Sequence, residues 1–151
     1  MPLHACRISQ ALATAICNLV VDAVDAGTPP GAIILYKGTM PATCNTALGT
    51  AVEVATCVLN TTAYGAATFG TTSANAELTQ TPVVGAKCVS ATGNAAAVTF
   101  FRLCNAAGTA ILQGTCSATA GDDLVLNAAI IAPDSEVNIT SLVVSVPVNQ
   151  A

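Results

Sequence analysis

Charge is the scarcest property of this chain. Only 8% of its 151 residues are charged, whereas a typical soluble domain has about 25%. Four Lys and Arg residues are widely spread against eight Asp and Glu, which gives a formal net charge of -4. Nucleic-acid binding requires clustered basic side chains that displace counterions from phosphates. We therefore expect no nucleic-acid partner.

Groups that could carry a reaction are almost as scarce. A nucleophilic site needs a base beside the nucleophile, and the single histidine, His4, lies close to the N-terminus. The acidic pair Asp122 and Asp123 follows a glycine, and Asp134 and Glu136 flank another turn, so we interpret all four as solvated turn carboxylates. No glycine-rich phosphate loop is followed by a lysine and a helix. The sequence predicts no enzyme and no cofactor.

Long uninterrupted apolar runs are also missing, although 53% of the residues are hydrophobic. A membrane-spanning helix needs about 20 consecutive apolar residues, and Thr, Asn, Ser, Gln or Gly interrupt every charge-free stretch well before that length. Arg7 and residues 8–21 loosely imitate a signal peptide, but four polar residues interrupt them, so we predict a mature helix instead. A surface with so little charge is poorly suited to a free monomer. We expect it to be buried against copies of the chain or another partner.

The seven cysteines do not form a metal-binding pattern. They stand at positions 6, 17, 44, 57, 88, 104 and 116, with no CxxC or CxxH pair. Zinc sites require closely spaced ligands, so no metal site is expected. Two interpretations of the cysteines stay open. They are either small apolar side chains kept reduced in a cell, or partners in a secreted disulfide scaffold.

One amphipathic helix is predicted over residues 6–26, where apolar residues recur at three-to-four spacing. Gly27 and the two prolines at 29–30 would end it. Asp22 and Asp25 in its last turn oppose the helix macrodipole, so we expect packing of the apolar stripe to stabilise the helix. The same stripe is the first candidate interface, and its members are Ile8, Leu12, Ile16 and Leu19.

Strands are predicted for the rest of the chain. The clearest hairpin signal joins residues 95–104 to residues 109–118 through a tight turn at 105–108. Further strands are expected at residues 32–37, 51–59, 76–81, 85–90, 124–126 and 136–147.

For two of these strands the sequence also predicts which side chains share a face. In the strand at 51–59, Val52, Val54 and Val58 should share one face. In the last strand the apolar residues change face, and a bulge near residues 140–141 would restore the register.

This order of elements defines the expected fold class. We predict a mainly β chain, an antiparallel β-sandwich or jelly roll preceded by one N-terminal α-helix. No linker or internal repeat divides the sequence, so residues 1–151 form a single predicted domain. Its helix covers residues 6–26 and its sandwich covers residues 31–148.

Arg102 is the most unusual charge in the sequence because it lies in a strongly apolar strand. Two interpretations are open. It is either an edge residue whose charged end extends to water, or half of a specific ion pair or interface contact. We therefore include Arg102 among the candidate interface residues.

Several short motifs, taken in order, resemble small structural proteins of tailed bacteriophages and prophages. The resemblance covers roughly residues 6–147. Its motifs are the helix at 11–26, YKGTMPA at 36–42, LGT at 48–50, FFRL at 100–103, NAAGT at 105–109, QGT at 113–115, AGDDL at 120–124 and VNITSL at 137–142.

This resemblance implies a virion structural role. It implies a capsid decoration, or cement, subunit with a jelly-roll sandwich, bound as an oligomer to the major capsid protein on the capsid surface. A neck, tail or fibre component of the same virion is the first alternative. An extracellular adhesin or pilin-like module, with a cleaved N-terminus and oxidised cysteines, is the second.

Overall fold

The computed structural model describes residues 8–27, 31–59, 64–70, 73–77, 96–126, 128, 130–133, 137, 139 and 142–147. Within these ranges the chain forms one N-terminal helix followed by short strands, so the expectation of a mainly β chain with one N-terminal helix is confirmed. The elements are α1 (Gln10–Asp25), β1 (Ala32–Lys37), β2 (Val52–Val58), β3 (Thr68–Phe69), β4 (Ser73–Glu77), β5 (Ala96–Ala97), β6 (Phe100–Cys104), β7 (Ala110–Ser117), β8 (Leu124–Val125), β9 (Ile130–Ile131) and β10 (Val143–Pro147).

The largest sheet has five strands in the order β2-β1-β6-β7-β8 and is curled into a half-barrel. Its first three pairings are antiparallel, but β7 and β8 run parallel through Cys116 and Ser117. The sheet is therefore mixed, which corrects the expectation of a purely antiparallel arrangement. A smaller antiparallel sheet has the order β10-β4-β3, and β5 pairs with β9. The jelly-roll topology and the single domain over residues 1–151 stay predictions.

The predicted hairpin is present. Strands β6 and β7 pair through a turn in which the Asn105 side chain accepts hydrogen bonds from the N–H groups of Ala107 (3.1 Å) and Thr109 (2.9 Å). Gly108 has φ 78°, a backbone conformation that residues with a Cβ rarely adopt. Glycine and asparagine at these positions therefore specify the turn, as the sequence indicates.

Other predicted boundaries differ from the structure. The helix predicted at 6–26 is observed as Gln10–Asp25, and residues 1–7 lie outside the described ranges. The strand predicted at 95–104 is divided into β5 and β6. The strand predicted at 76–81 begins three residues earlier, and β9 was not anticipated. The predicted strand at 85–90 and the bulge at 140–141 lie outside the described residues.

Strand β2 corrects the expectation that Val52, Val54 and Val58 share a face. Leu35 of β1 is opposite Ala55, but the next residue, Tyr36, is opposite Glu53, so one extra residue is inserted in β2. Because side chains alternate with a period of two, an inserted residue exchanges the two faces beyond it. Val54 and Ala55 are consequently both buried, whereas Val58 lies on the other face and is 47% exposed. Val52, at the start of the strand, is 49% exposed.

Both faces of β6 are buried, which makes this strand the centre of the fold. Phe101 and Leu103 point into the main core, where they join the buried side of α1 and the facing residues of β1 and β2. Phe100, Arg102 and Cys104 alternate with them and therefore lie on the opposite face. There the Phe100 ring stacks on Tyr36, with 5.0 Å between ring centroids.

Among the described cysteines, Cys44, Cys57, Cys104 and Cys116 are free thiols, and the Cys17 thiol donates a hydrogen bond. Four of the five are buried and Cys44 is half-buried. Burial raises the pKa of Cys57 and Cys116 to about 12 each, from an ordinary value of 9.0. Neutral thiols in these positions pack as small apolar side chains. This arrangement agrees with the reduced interpretation of the cysteines.

The buried thiols predict a loss of stability at alkaline pH. Between about pH 8 and about pH 10, Cys57 and Cys116 ionise in the unfolded chain but stay protonated in the folded one. The folded state then binds more protons, so the free energy of unfolding should fall by about 3 kcal/mol over this interval. Urea unfolding of the reduced protein at both pH values measures the change. A variant with Cys57→Ala and Cys116→Ala should lose most of this dependence, and an equally stable wild type at both pH values would contradict the prediction.

Candidate interaction surface

Helix α1 is capped at its N-terminus but has unfavourable charges at its C-terminus. The Ser9 side chain is the N-cap and accepts a hydrogen bond from the Leu12 N–H at 3.2 Å, which satisfies one of the helix's free donors. No basic residue lies in the last turn, and Asp22 and Asp25 lie there beside the negative end of the macrodipole. The helix therefore depends on its contacts with the sheets.

Those contacts come from one narrow face of small side chains, namely Ala13, Cys17, Val21 and Val24, all of which are buried. This face packs mainly against β4 and β10, and the Cys17 thiol donates a hydrogen bond to the Val144 carbonyl (3.4 Å). Two further contacts join the helix to the segment before β3. Asn18 Oδ1 accepts from the Ala67 N–H (2.7 Å), and Asp25 Oδ2 accepts from the Tyr64 N–H (3.4 Å). The helix is thus fixed without its largest apolar residues.

The larger apolar residues of the helix face away from this contact. Leu12, Ile16 and Leu19 are 48%, 37% and 69% exposed, so three of the four predicted stripe residues lie on the surface. Ile8 is different because it is partly buried and packs against the core. The expectation that this stripe packs the helix onto its own chain is wrong for Leu12, Ile16 and Leu19. We call these three residues the helix stripe.

Arg102 does not belong to this surface. Only 7% of its side chain is exposed, and its strand β6 lies between β1 and β7 rather than at an edge. Its Nη2 donates to the carbonyl oxygens of Thr46 (2.8 Å) and Thr43 (3.4 Å), and its Nε donates to Gln113 Oε1 (3.2 Å). These partners are uncharged. The edge interpretation is therefore wrong. The interface role of Arg102 stays a prediction, although its side chain offers little exposed surface.

The contacts of Arg102 fix the loop between β1 and β2 over one face of the sheet. Gln113 continues the network, since its Nε2 donates to the Pro41 carbonyl at 2.6 Å. Within the loop, the Thr46 N–H donates to the Thr43 carbonyl at 3.1 Å, and the two threonine hydroxyls lie 2.9 Å apart. The same Arg102 charge opposes the effect of burial on Cys104, whose pKa is nevertheless raised. The loop is held by side chains of two central strands, which makes this surface rigid.

Asp122 and Asp123 bind their own chain rather than only solvent. Asp123 Oδ2 accepts hydrogen bonds from the N–H (2.8 Å) and the hydroxyl (3.1 Å) of Thr115. Asp122 Oδ2 accepts a hydrogen bond from the Ser117 hydroxyl. Both carboxylates therefore hold β8 beside β7, which explains how such a short strand pairs in parallel. This corrects the interpretation of the two residues as merely solvated.

Other exposed apolar side chains are scattered over several elements. Val52 and Val58 lie on β2 at one edge of the five-stranded sheet, and Val125, Ile130 and Val143 lie on β8, β9 and β10. The sequence did not predict the exposure of Val58, because a bulge in β2 cannot be recognised from the alternation of apolar and polar residues in one strand. Single exposed valines are common on protein surfaces. The helix stripe is different because its three members are consecutive on one helical face.

The described residues offer little chemistry beyond contact. They contain no group of three or more His, Cys, Asp or Glu side chains that could hold a metal ion. A shallow cavity of about 300 Å³ lies between β7 and β10, with Phe101, Leu142 and Val144 on its apolar side and Asp123 at its rim. His4 lies outside the described residues. No helix in the described part of the chain is long and apolar enough to cross a membrane.

Comparison with known proteins adds no relative. Neither models of protein families, nor curated proteins, nor solved structures give a match to this chain. The features that indicate a function are therefore the helix stripe, the sequence motifs and the composition.

Proposed function

We propose that this chain is a virion structural protein of a tailed bacteriophage, and that it acts as a capsid decoration, or cement, subunit. One observation carries the proposal. The helix stripe exposes three large apolar side chains on a helix whose other face already attaches it to the chain. An isolated protein gains nothing from such a stripe, whereas a subunit of an assembly buries it. The ordered phage-like motifs support this setting.

The mechanism is burial of apolar area across the seams between capsid subunits. The proposed partners are the major capsid protein and copies of the chain itself, on the outer surface of the capsid. A standard interface of about 1,600 Å² represents tens of kcal/mol of gross hydrophobic stabilisation before the costs of association. Many copies on one shell add avidity. The proposal assigns no reaction, cofactor, nucleic acid or membrane to the chain.

The proposed fold is part of the same inference. A jelly-roll sandwich over residues 31–148 would present a rigid face to the shell. The mainly β composition, the half-barrel sheet and the loop fixed by Arg102 support it. The parallel β7–β8 pair is a local departure from the usual antiparallel pattern.

The test is the rupture of capsids with and without this chain. Capsids stripped of it should rupture at a lower temperature or internal pressure, and adding the purified chain back should restore the original value. Unchanged rupture after stripping would contradict the cement role. Images of the intact particle then separate the alternatives, because a neck, tail or fibre protein occupies one location in few copies while a decoration protein covers the head.

The adhesin or pilin-like alternative predicts the opposite redox state for the cysteines. It requires oxidised cysteines, whereas Cys44, Cys57, Cys104 and Cys116 are free thiols. Thiol counting on particles denatured without a reductant should find all seven cysteines reactive. A substantially lower count would favour the extracellular module.

A further inference from the structure

Helix α1 carries two separate apolar faces, and only one of them has a partner within the described chain. The second face continues beyond the helix stripe to the half-buried Ala23, so its members Leu12, Ile16, Leu19 and Ala23 are spaced by four, three and four residues. This is the spacing of the d and a positions of a heptad repeat, with leucine at d and isoleucine at a. Side chains at this spacing pack well against a second helix with the same spacing.

We propose that the helix stripe packs against the helix stripe of a second copy of this chain, with the two helices antiparallel about a twofold axis close to Ile16. The inference deepens the proposed function, on which it rests for the setting in which copies meet. A twofold interface is self-complementary, so one apolar stripe supplies both sides of the contact. Leu12 of one copy then lies opposite Leu19 of the other.

The charges on the helix select the antiparallel orientation. Asp22 is exposed, lies beside the stripe in the last turn, and opposes its own helix dipole. With the axis near Ile16, Asp22 lies opposite Ser9 and Gln10 of the second copy, at the positive N-terminal end of that helix, where a carboxylate is favourable. No acidic residue occupies that first turn. In a parallel pair each Asp22 carboxylate would instead lie at the end where the negative C-termini of both helices meet, which is unfavourable.

The neighbouring side chains allow the helices to approach closely. Ala11 and Ala15 flank the stripe on its exposed side and are themselves exposed. Small residues at this position let backbones come near the lower end of the usual 8–10 Å interaxial distance. The contact nevertheless covers only about three helical turns, far less than a standard interface. We therefore expect a dimer with a Kd of roughly micromolar order, which many copies on a shell would reinforce.

Sedimentation velocity of the purified chain over a concentration series from about 1 µM to about 1 mM tests the association. The wild type should convert from monomer to dimer within this range. Leu19→Gln should raise the Kd at least tenfold, whereas Val125→Gln, which replaces another exposed apolar residue, on β8, should leave it unchanged. A wild type that stays monomeric throughout would overturn the proposal, as would an equal loss in both variants. Thermal unfolding of each variant confirms that both are folded.

Two further measurements test the orientation. A Leu12→Cys chain mixed with a Leu19→Cys chain should give a disulfide between positions 12 and 19 on mild oxidation with glutathione disulfide, and Leu12→Cys mixed with Val125→Cys should not. Asp22→Asn should weaken the antiparallel dimer by about fivefold, because two favourable dipole contacts are lost. In a parallel pair it would remove a carboxylate from beside the two negative helix C-termini and strengthen the dimer, which would overturn the proposed orientation.

These experiments separate the dimer from the proposed function. Dimerisation is measured on the free chain, and cement activity on stripped capsids. A chain that dimerises through the stripe but does not alter capsid rupture leaves the dimer standing and rejects the cement role. A monomeric chain that still stabilises capsids rejects the dimer and leaves the cement role standing.

Discussion

Replacing Gly31 with alanine should destabilise the chain by at least about 4 kcal/mol, because the added Cβ has no space. Built on the present backbone, that atom would lie 2.0 Å from the Cys104 carbonyl oxygen and 3.1 Å from the Val24 carbonyl oxygen. Both obstacles are backbone atoms, which cannot rotate away. Gly31 also donates to Val24 (3.0 Å) and accepts from Leu59 (2.9 Å), so it joins the end of α1 to β6 and to the end of β2. Any shift here moves three elements.

Urea unfolding followed by circular dichroism measures this effect, with Gly49→Ala as the matched control. Gly49 has φ 61° but nothing lies within 4 Å of its built Cβ, so alanine there should cost only about 1 kcal/mol of conformational strain. The comparison separates a clash from a backbone preference. A Gly31→Ala chain within about 1 kcal/mol of wild type would show that the three elements can separate without cost.

The helix shows what the sequence could and could not predict. Periodicity and the Gly27 stop signal predicted its existence and its end to within one residue of Asp25. They did not predict which face packs inward. Hydrophobic periodicity finds apolar residues, but the small face led by Ala13 and Cys17 packs onto β4 and β10, leaving the larger stripe outside. Small side chains let the helix approach the sheet closely. Which helical face packs inward depends on the sheet that faces it, and the helix sequence alone does not show that.

Strand β2 was predicted nearly in full, yet the face assigned to Val58 was wrong. The reason is the extra residue opposite the Leu35–Tyr36 step of β1. A bulge is a property of two paired strands, so one strand's alternation cannot reveal it. The face on which Val58 lies therefore follows from the pairing of β2 with β1 and not from the sequence around it.

Arg102 was recognised as unusual, but its partners could not be predicted. The carbonyl groups of Thr43 and Thr46 lie 59 and 56 residues away along the chain. Every residue has a carbonyl group, so no pattern in the sequence marks these two as acceptors. Gln113 lies directly opposite Arg102 across the β6–β7 hairpin. Because the sequence predicts this hairpin, Gln113 could have been identified as a partner of Arg102.

We expect Arg102→Met to destabilise the chain by about 3 kcal/mol without weakening self-association. Methionine keeps much of the buried stem, but it leaves the Thr46 and Thr43 carbonyls and the Gln113 amide oxygen without their donor. Leaving buried acceptors without their charged donor lowers the free energy of unfolding considerably more than breaking an exposed pair does. The loop at residues 38–50 should also become a site of limited proteolysis, since the anchor over the sheet is lost. Urea unfolding, proteolysis and sedimentation velocity measure the three effects.

The controls distinguish an internal anchor from an interface residue. Lys37→Met removes a half-buried cation from β1 of the same sheet, and its cost should stay within about 0.5 kcal/mol. Arg102→Lys keeps the charge with fewer donors and should fall between methionine and wild type. A double-mutant cycle with Gln113→Leu should show coupling of about 1 kcal/mol, since the two side chains share one network. An Arg102→Met chain of wild-type stability that no longer associates would return Arg102 to the interface, and the loop would need another anchor.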